Sequence, residues 1–516
     1  MKKVLTAKEM QKIDAIASSH YAIDGLKLME NAGKSIVNQI KRRFDDLLNK
    51  KIFIFCGKGN NGGDGFVAAC LFFGMGVSVT VILLEKRINL KGNASINAEL
   101  AFNLGVTIIE IEGMHSDLSQ YNLCSCDIII DALLGTGLTR PVEGIYKQVV
   151  EQINQSQKFI ASVDIPSGLD SDTGLLKGVF IRADLTIALT LPKRSHLLFP
   201  SAAFIGELQI VDIGITSDVI VSQNIKLQVT EEADLISWFQ KRPADSHKGS
   251  YGHVLVIAGS RGKGGSAGLT ALAALRMGCG LVTLALPESC QKKLEFHPLE
   301  VMTVSAPETA LGTFSLSSKE VLLSHAKGKA AVAIGPGIST EPETVQLINE
   351  LLPLIDCPLI IDADGINAIA QNQNLISKLS AETILTPHPK EMSRISGIKI
   401  SKILKNRVDI TRQFALDHSV NIILKGASSI ICQPDGMATI NPTGNPGMAT
   451  AGTGDILTGI IASLIAQGFS SPKAAIAGTY LHGLTGDIYA SQESQTSLIA
   501  GDLLRTLPKT IKRILH

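Results

Sequence analysis

"KKIFIFCGKGNNGGDGFVAACLFFG", residues 50–74, decides the fold. It opens on an unbroken apolar run, passes through five glycines in nine residues, and continues as apolar residues at helical spacing. An unbroken apolar strand is covered on both faces, as in a parallel sheet between helices. The stretch therefore reads as strand, loop, helix. No Lys-Ser or Lys-Thr pair closes the loop, so it is not a P-loop. Its glycines (Gly57, Gly59, Gly62, Gly63 and Gly65) permit positive φ and close backbone approach. The helix that follows aims free N–H groups at an anion. Asn60, Asn61 and Asp64 add hard oxygen atoms suited to an alkali or alkaline-earth cation.

The same form repeats outward from this stretch. "VSVTVILL" (77–84), "VTIIEI" (106–111), "CDIIIDALLGTG" (126–137), "FIASVDIPSG" (159–168) and "ADLTIALTLP" (183–192) are strand-like, with helical segments between them. This predicts a Rossmann-like three-layer α/β domain. The pattern changes across 214–240, around the single tryptophan, Trp238, expected to pack at a domain junction. A second α/β series then begins with "HVLVIAG" (253–259) and runs to "GDILTGIIASLIAQG" (454–468). The expected domains are residues 1–225 and 226–516.

Bulk properties narrow the function. The 516 residues are 45 % apolar and 18 % charged, with a formal net charge of +1. No basic field exists to hold nucleic acid or an anionic membrane. The eight cysteines contain no C-x-x-C pair and read as free, mostly buried thiols of a reducing compartment. The N-terminus has no apolar leader, and "ILTGIIASLIAQGF" (456–469) is too short to span a bilayer. A cytoplasmic protein is expected.

In open α/β sheets ligands bind outside the carboxyl ends of the strands. There the sequence places Asp131 in "IIIDALLGTGLTRP", and Asp164 with Ser167 in "VDIPSGLDSDTG". Together with "MENAG" (29–33) and "GKGNNGGDG" (57–65), these motifs resemble the YjeF N-terminal domain, the NAD(P)H-hydrate epimerase, across most of residues 1–220. The resemblance implies NADH or NADPH hydrated across the nicotinamide 5,6 double bond as substrate, and a potassium ion. Carried over by motif, Asn60, Asn61, Gly62, Gly63 and Asp64 contact the substrate. Gly135, Thr136, Gly137, Leu138, Thr139, Arg140 and Pro141 wrap the dinucleotide. Asn61, Asp131 and Ser167 hold the potassium, and Asp164 sits at the reacting ring. One carboxyl acting as acid and then base suffices to expel the hydroxyl and return water to the other face. Ring opening and reclosure is the other route.

The second half has its own loop. "NPTGNPGMATAGTGD" (441–455) crowds glycines before an apolar helix that starts at Asp455. Backbone N–H groups there form an anion hole for a phosphoryl group, and Asp455 can take a hydroxyl proton as that oxygen attacks phosphorus. Lys425, Ser428 and Ser429 in "LKGASSIIC" can hold nucleotide phosphates. The glycine–aspartate signature resembles the ribokinase-like fold. With "SHKGSYGHVLVIAGS", "IGPG", "DADGIN", "LTPHPKEM" and "KGASS" it resembles the YjeF C-terminal family, the ADP-dependent NAD(P)H-hydrate dehydratase, over about 245–490. That implies phosphorylation of the hydrate's hydroxyl by ADP with Mg2+, then elimination to NAD(P)H, with AMP and phosphate as products. Ser266 or Ala267, Gly337, His388 and Asp455 then line the hydrate site. Lys425, Gly426, Ala427, Ser428, Ser429 and Gly454 bind the AMP portion. Apart from the resemblance, Glu391, three residues after His388, can support a magnesium–phosphate site. Ser429 stands where the family usually has threonine, which keeps the hydroxyl. Members commonly form symmetric homo-oligomers. Two other readings stand beside this one: a ribokinase-like small-molecule kinase with a non-catalytic dinucleotide-binding module, and a first half that only binds ligand.

Overall fold

The computed structural model describes residues 1–21, 23–111, 125–138, 140–294 and 299–515. The chain divides into two compact units: residues 2–225, and residues 226–516 with Met1.

In the first unit the apolar runs become seven parallel strands: β1 (Lys51–Cys56), β2 (Ser78–Leu83), β3 (Thr107–Glu110), β4 (Ile128–Ala132), β5 (Phe159–Val163), β6 (Leu185–Leu189) and β7 (Glu207–Val211). Their order is β3-β2-β1-β4-β5-β6-β7. The chain winds one way from β1 and then the other way from β4, so the β1/β4 edge is the topological switch point. Helix α1 (Ala7–Tyr21) buries Met10, Ile13 and Ala17. Helix α2 (Gly25–Arg43) starts at Asp24, whose carboxylate accepts from Leu26 N at 2.9 Å, and turns Leu28, Met29, Ala32, Ile36, Val37 and Ile40 inward. Helix α3 (Asn60–Gly74) follows β1 directly. Ile52, Ile54, Phe66 and Phe72 are fully buried or nearly so in the core between these helices and the sheet, each contributing about 1.5–3 kcal/mol.

The second unit is built on a mixed sheet. Its strands are β8 (Leu227–Val229), β9 (His253–Ile257), β10 (Leu281–Pro287), β11 (Met302–Ala306), β12 (Ala331–Ile334), β13 (Leu359–Ile361), β14 (Ile384–Leu385), β15 (Asn421–Leu424), β16 (Ile430–Cys432) and β17 (Ala438–Ile440). The order is β8-β17-β16-β15-β14-β13-β12-β9-β10-β11. From β11 through β15 every pairing is parallel. β15, β16 and β17 then form an antiparallel meander, which the α/β alternation does not announce. The cause is local. "QPDG" makes a tight turn with Gly436 at φ +80°, and Met437 N donates to Asp435 Oδ1 at 2.8 Å, leaving no room for a crossover helix.

Two helices organise this core. α4 (Gly264–Met277) follows β9, and α6 (Thr453–Ala466) carries the run that looked nearly long enough for a membrane. Residues 456–466 of α6 are all buried, as befits a helix apolar on every side. It packs against α4 so closely that a Cβ at Gly459 would lie 2.2 Å from the Thr270 carbonyl. Between α4 and α6 in the chain lies α5 (Pro389–Ser396). α7 (Ser471–Gln492) follows α6. Trp238 packs on this unit's own core. Among the described residues no helix is long and apolar enough to cross a membrane. The described cysteines are free, five of them buried; Cys124 lies outside the described residues.

Candidate active sites

The first site is a cavity of about 1180 Å³ at the β1/β4 switch point. Asn60, Asn61, Asp64, Gly135, Thr136, Gly137, Leu138, Arg140, Pro141 and Asp164 all line it. Thr139 lies outside the described residues. Gly62 and Gly63, expected on the substrate, do not reach the wall: a Cβ at Gly62 would lie 2.0 Å from the Gly57 carbonyl, and one at Gly63 would strike Met29. None of the five loop glycines has positive φ. Close approach alone explains Gly57 as well, where a Cβ would sit 1.9 Å from the Leu133 carbonyl. The loops after β1 and β4 touch backbone to backbone there. Among the described residues no side chain caps α3, which leaves its first N–H groups available to an anion.

Behind the wall lies a polar network. Asp131 is fully buried at the end of β4. It accepts from Ser162 Oγ (2.8 Å), Ser167 N (2.8 Å), Ser167 Oγ (2.5 Å) and Leu133 N (3.3 Å). Burial raises the Asp131 carboxyl and these donors oppose the rise. Ser167 Oγ also accepts from Leu134 N at 2.9 Å. Asn61 stands against Gly135, and its buried amide Nδ2 has no partner among the described residues. Amide N and O are interchangeable in assignment, so this buried position suits the oxygen facing a cation. Asn61, Ser167 and the loop carbonyls are hard oxygen donors, and one buried carboxylate supplies the charge. The set fits an alkali ion, with Asp131 chiefly holding Ser167 and the loop.

Asp164 occupies the left-handed region at φ +62°, a conformation aspartate tolerates better than most residues. Its Oδ1 accepts from Leu189 N (3.1 Å) and from the Lys193 ammonium (2.5 Å). Lys193 is completely buried and also donates to Leu189 O at 2.9 Å. Reading the sequence missed Lys193, because "TLPKRSH" looks like a solvated basic loop. It also missed Asp14, whose place on a charged helix looks like a solvent face. Both line the cavity. Asp14 keeps an exposed edge, and the protein packed around its carboxyl raises it to about 6, with Lys193 opposing and Asp164 adding to the rise. Burial also places Asp64 well above the carboxylate range.

The second site gathers around the first turn of α6. Asp455 lies in that turn, where burial raises its carboxyl while a hydrogen bond from Ser266 and the Lys425 charge oppose. Gly337 backs onto Ser266, which comes from the first turn of α4. Ala267 is fully buried in the core, so Ser266 is the residue that reaches the site. Lys425 does not point among the serines of its own loop. Its Nζ turns inward to Asp362 Oδ1 at 2.5 Å. Asp362, 1 % exposed, also accepts from Thr386 Oγ1 (2.7 Å) and Thr458 Oγ1 (2.9 Å). A Cβ on Gly454 would sit 3.4 Å from Lys425 Nζ, so the glycine keeps this ammonium close to the helix turn. The Gly426–Ser429 turn is pinned from behind: Arg407 donates to the carbonyls of Ala427 (2.5 Å) and Ser428 (3.0 Å).

His388 does more than sit between stiff prolines. It caps α5, its Nδ1 accepting from Lys390 N and Glu391 N at 3.1 Å, with Pro389 as the first helical residue. Its ring remains half-exposed, and burial and Lys425 lower its pKa. Glu391 returns the cap, accepting from His388 N at 2.8 Å. Burial pushes Glu391 up to about 7, a carboxyl that a divalent cation would relieve. The glycine loop is latched to α7: Gly444 N and Asn445 Nδ2 donate to Asp487 at 2.8 and 2.9 Å. Asp362 and Thr458 were not singled out from sequence, although "DADGIN" held the first.

Two α/β units, each with carboxylates and a glycine-edged helix start at the mouth of its sheet, define an enzyme of the nucleotide-handling α/β class, Rossmann-like in one unit and ribokinase-like in the other. The family model described as YjeF-related protein N-terminus matches residues 25–195, and that for NAD(P)H-hydrate dehydratase matches residues 254–509. Bifunctional NAD(P)H-hydrate repair enzymes match along the whole chain. The one from Moorella thermoacetica is 41 % identical, covering 99 % of this chain and 97 % of its own length. That from Escherichia coli is 31 % identical, covering 94 % and 89 %. Among solved structures, a Bacillus subtilis ADP/ATP-dependent NAD(P)H-hydrate dehydratase co-crystallized with ATP/Mg2+ is 28 % identical with a TM-score of 0.47, covering 56 % of this chain and 98 % of that one. The chain belongs to the bifunctional NAD(P)H-hydrate repair enzyme family.

Proposed function

We propose that residues 1–225 interconvert the R and S epimers of hydrated NADH and NADPH, and that residues 226–516 use ADP to return the S epimer to NAD(P)H. The observation that carries this reading is the convergence of Asp164, Asn60, Asn61, Gly135, Thr136, Gly137, Leu138, Arg140 and Pro141 on one cavity of about 1180 Å³. That volume exceeds the roughly 300–1,000 Å³ of ordinary ligand pockets and suits a whole dinucleotide. α3 offers N–H groups to the pyrophosphate. Asp164, held by Lys193, moves a proton at the hydrated carbon. A potassium ion held by Asn61 and Ser167, with Asp131 behind them, would neutralise nearby anionic charge and fix the loop.

In the second unit Asp455 accepts the proton of the substrate hydroxyl as that oxygen attacks the β-phosphorus of ADP. The α6 N-terminus and Lys425 hold the transferred group while AMP departs. Electrons from the ring nitrogen then expel phosphate, and loss of the neighbouring ring proton restores NAD(P)H. Mg2+ would be held with the nucleotide near Glu391, supplying charge to the phosphates. The reading carries a cytoplasmic setting and a symmetric homo-oligomer, the latter checked by sedimentation.

The test is an absorbance assay on purified protein with mixed R and S NADH-hydrate, potassium, magnesium and ADP. Full return of NADH, faster than spontaneous epimerisation, is expected. Recovery that stops at the S share would reduce the first unit to a binding module. No NADH, with a stable phosphorylated product, would leave a small-molecule kinase.

A further inference from the structure

The residues of the second site follow the carboxyl ends of their strands, as Asp362 follows β13 and Lys425 follows β15. The amino ends of the same sheet hold a groove that this chemistry does not use. Its volume is about 800 Å³, and all its lining residues belong to the second unit. Tyr251, just before β9, lines it, as do Met277 and Gly278 at the end of α4 and Gln467 and Gly468 at the end of α6. Ser266 and Asp455 stand in the first turns of those two helices. Each helix has 14 residues, so roughly 15–20 Å of helix separates the groove from the second site. The lining has a marked chemistry. Trp238, Phe239 and Phe469 bring aromatic rings, and Lys241, Arg276 and Lys473 bring cations. No aspartate or glutamate lines the groove. The whole chain carries 48 Lys and Arg against 47 Asp and Glu, so this one-sided charge is local.

A fourth cation of the groove is already in use. Arg242 lies over the Tyr251 ring, 3.7 Å from its centroid, and donates to the Gly278 carbonyl and to Gln467 Oε1 (3.3 Å). It thereby closes the carboxyl ends of α4 and α6. Lys241, Arg276 and Lys473 are exposed, and among the described residues no carboxylate pairs with them. Lys473 rests only on a ring, 5.7 Å from the Trp238 centroid. Phe239 and Phe469 meet at 5.1 Å between centroids, and Trp238 is half-buried against the core. One kind of ligand answers both features. A planar ring covers the aromatic faces, and an anionic group takes the cations. An inorganic anion would leave the rings wet, and an apolar ligand would leave the charges unpaired. The volume falls within the roughly 300–1,000 Å³ of small-ligand pockets and below the first cavity's 1180 Å³. We propose that this groove binds a nucleoside phosphate of mononucleotide size. Trp238 is its stacking face, and Lys241, Arg276 and Lys473 take the phosphate. The site is separate from both reactions and stands whether or not they are as assigned.

Trp238 is the chain's single tryptophan, so the groove carries its own reporter. The full chain is titrated with AMP, with adenosine and with inorganic phosphate, following tryptophan fluorescence. AMP is expected to quench it saturably. Adenosine and phosphate should each bind at least about tenfold more weakly, because each supplies half of the recognition. Raising the salt should weaken AMP and leave adenosine unchanged. Arg276→Glu combined with Lys473→Glu should weaken AMP by about tenfold or more, with the denaturant midpoint near that of wild type. The comparison of the three probes on wild type needs no variant and decides the matter even if the double substitution does not fold. Absence of saturable quenching by AMP would overturn the proposal. Phosphate binding as tightly as AMP would also overturn it and leave a simple anion patch. Quenching that survives the double substitution would come from AMP at the second site and would overturn it too. Sedimentation of both proteins gives the last outcome. An oligomer that dissociates on the double substitution, with AMP silent toward Trp238, would assign the groove to a second copy of this chain and overturn the nucleotide site.

Discussion

The Lys425 ammonium and the Asp362 carboxylate form a buried ion pair, 2.5 Å from Nζ to Oδ1, against the first turn of α6. Thr386 and Thr458 complete the carboxylate's hydrogen bonds, so the pair is both charged and satisfied. Asp362→Asn keeps the shape but removes the nearest of the carboxylates that face Lys425, leaving only Glu391 and Asp455 beside it. A loss of about 3–5 kcal/mol in the second unit is expected. Trp238, the chain's single tryptophan, packs on this core and reports unfolding in denaturant directly. Adding Lys425→Met to Asp362→Asn should restore part of the loss, because partners in one pair are not additive.

Asp455→Asn should silence dehydration and leave epimerisation untouched. The substitution keeps the helix start but removes the proton acceptor, so kcat on S-hydrate with ADP and Mg2+ should fall about 10²–10⁴-fold with little change in KM. The R-to-S ratio, read separately by chromatography, should relax at the wild-type rate.

Glu391 predicts a pH dependence with a defined sign. Its folded pKa of about 7 lies above the ordinary 4.5, so the folded state holds a proton that the unfolded chain releases between those values. The associated stability is complete below about 4.5 and is lost as pH rises through 7. Wild type should therefore lose roughly 3 kcal/mol relative to Glu391→Gln between pH 4.5 and 8. His388, whose pKa is lowered, works in the opposite direction below its ordinary value, and the comparison at fixed His388 removes it. Denaturant midpoints followed by Trp238, without nucleotide, give the measurement.

Removing potassium tests the oxygen set around Asn61. Replacement by a bulky organic cation should slow epimerisation and leave dehydration of S-hydrate unchanged. Ser167→Ala should reproduce that loss even with potassium present, because Ser167 also ties the β4 loop to Asp131. An epimerisation rate indifferent to the cation would remove the ion from the first site.

The readable parts of this chain were those where one residue type does one job. Unbroken apolar runs became parallel strands, and Asp164, ending such a run, lines a cavity. Lys193 was unreadable because a buried lysine needs a partner 29 residues away in the chain, and nothing in "TLPKRSH" names it. Asp14 was hidden because a helix face turned to a cavity carries the same polar residues as one turned to solvent. Gly62 and Gly63 sit in a motif that reads as ligand-binding, and the structure adds a packing reason for both, since a Cβ there would strike Gly57 or Met29. The antiparallel meander after β15 escaped because its strands are as apolar as the parallel ones, and only the two short turns, "KGASS" and "QPDG", distinguish them.

The contact between Gly57 and Leu133 bears on how this enzyme can be redesigned. With a Cβ at position 57 only 1.9 Å from the neighbouring carbonyl, that site has no room for a side chain. The two loops behave as a seam, and a methyl group there would prise apart the walls of the cavity. Anyone altering substrate choice must leave positions 57 and 62 as glycine and work on Asn60, Gly135 and Gly137, which line the cavity beyond the seam.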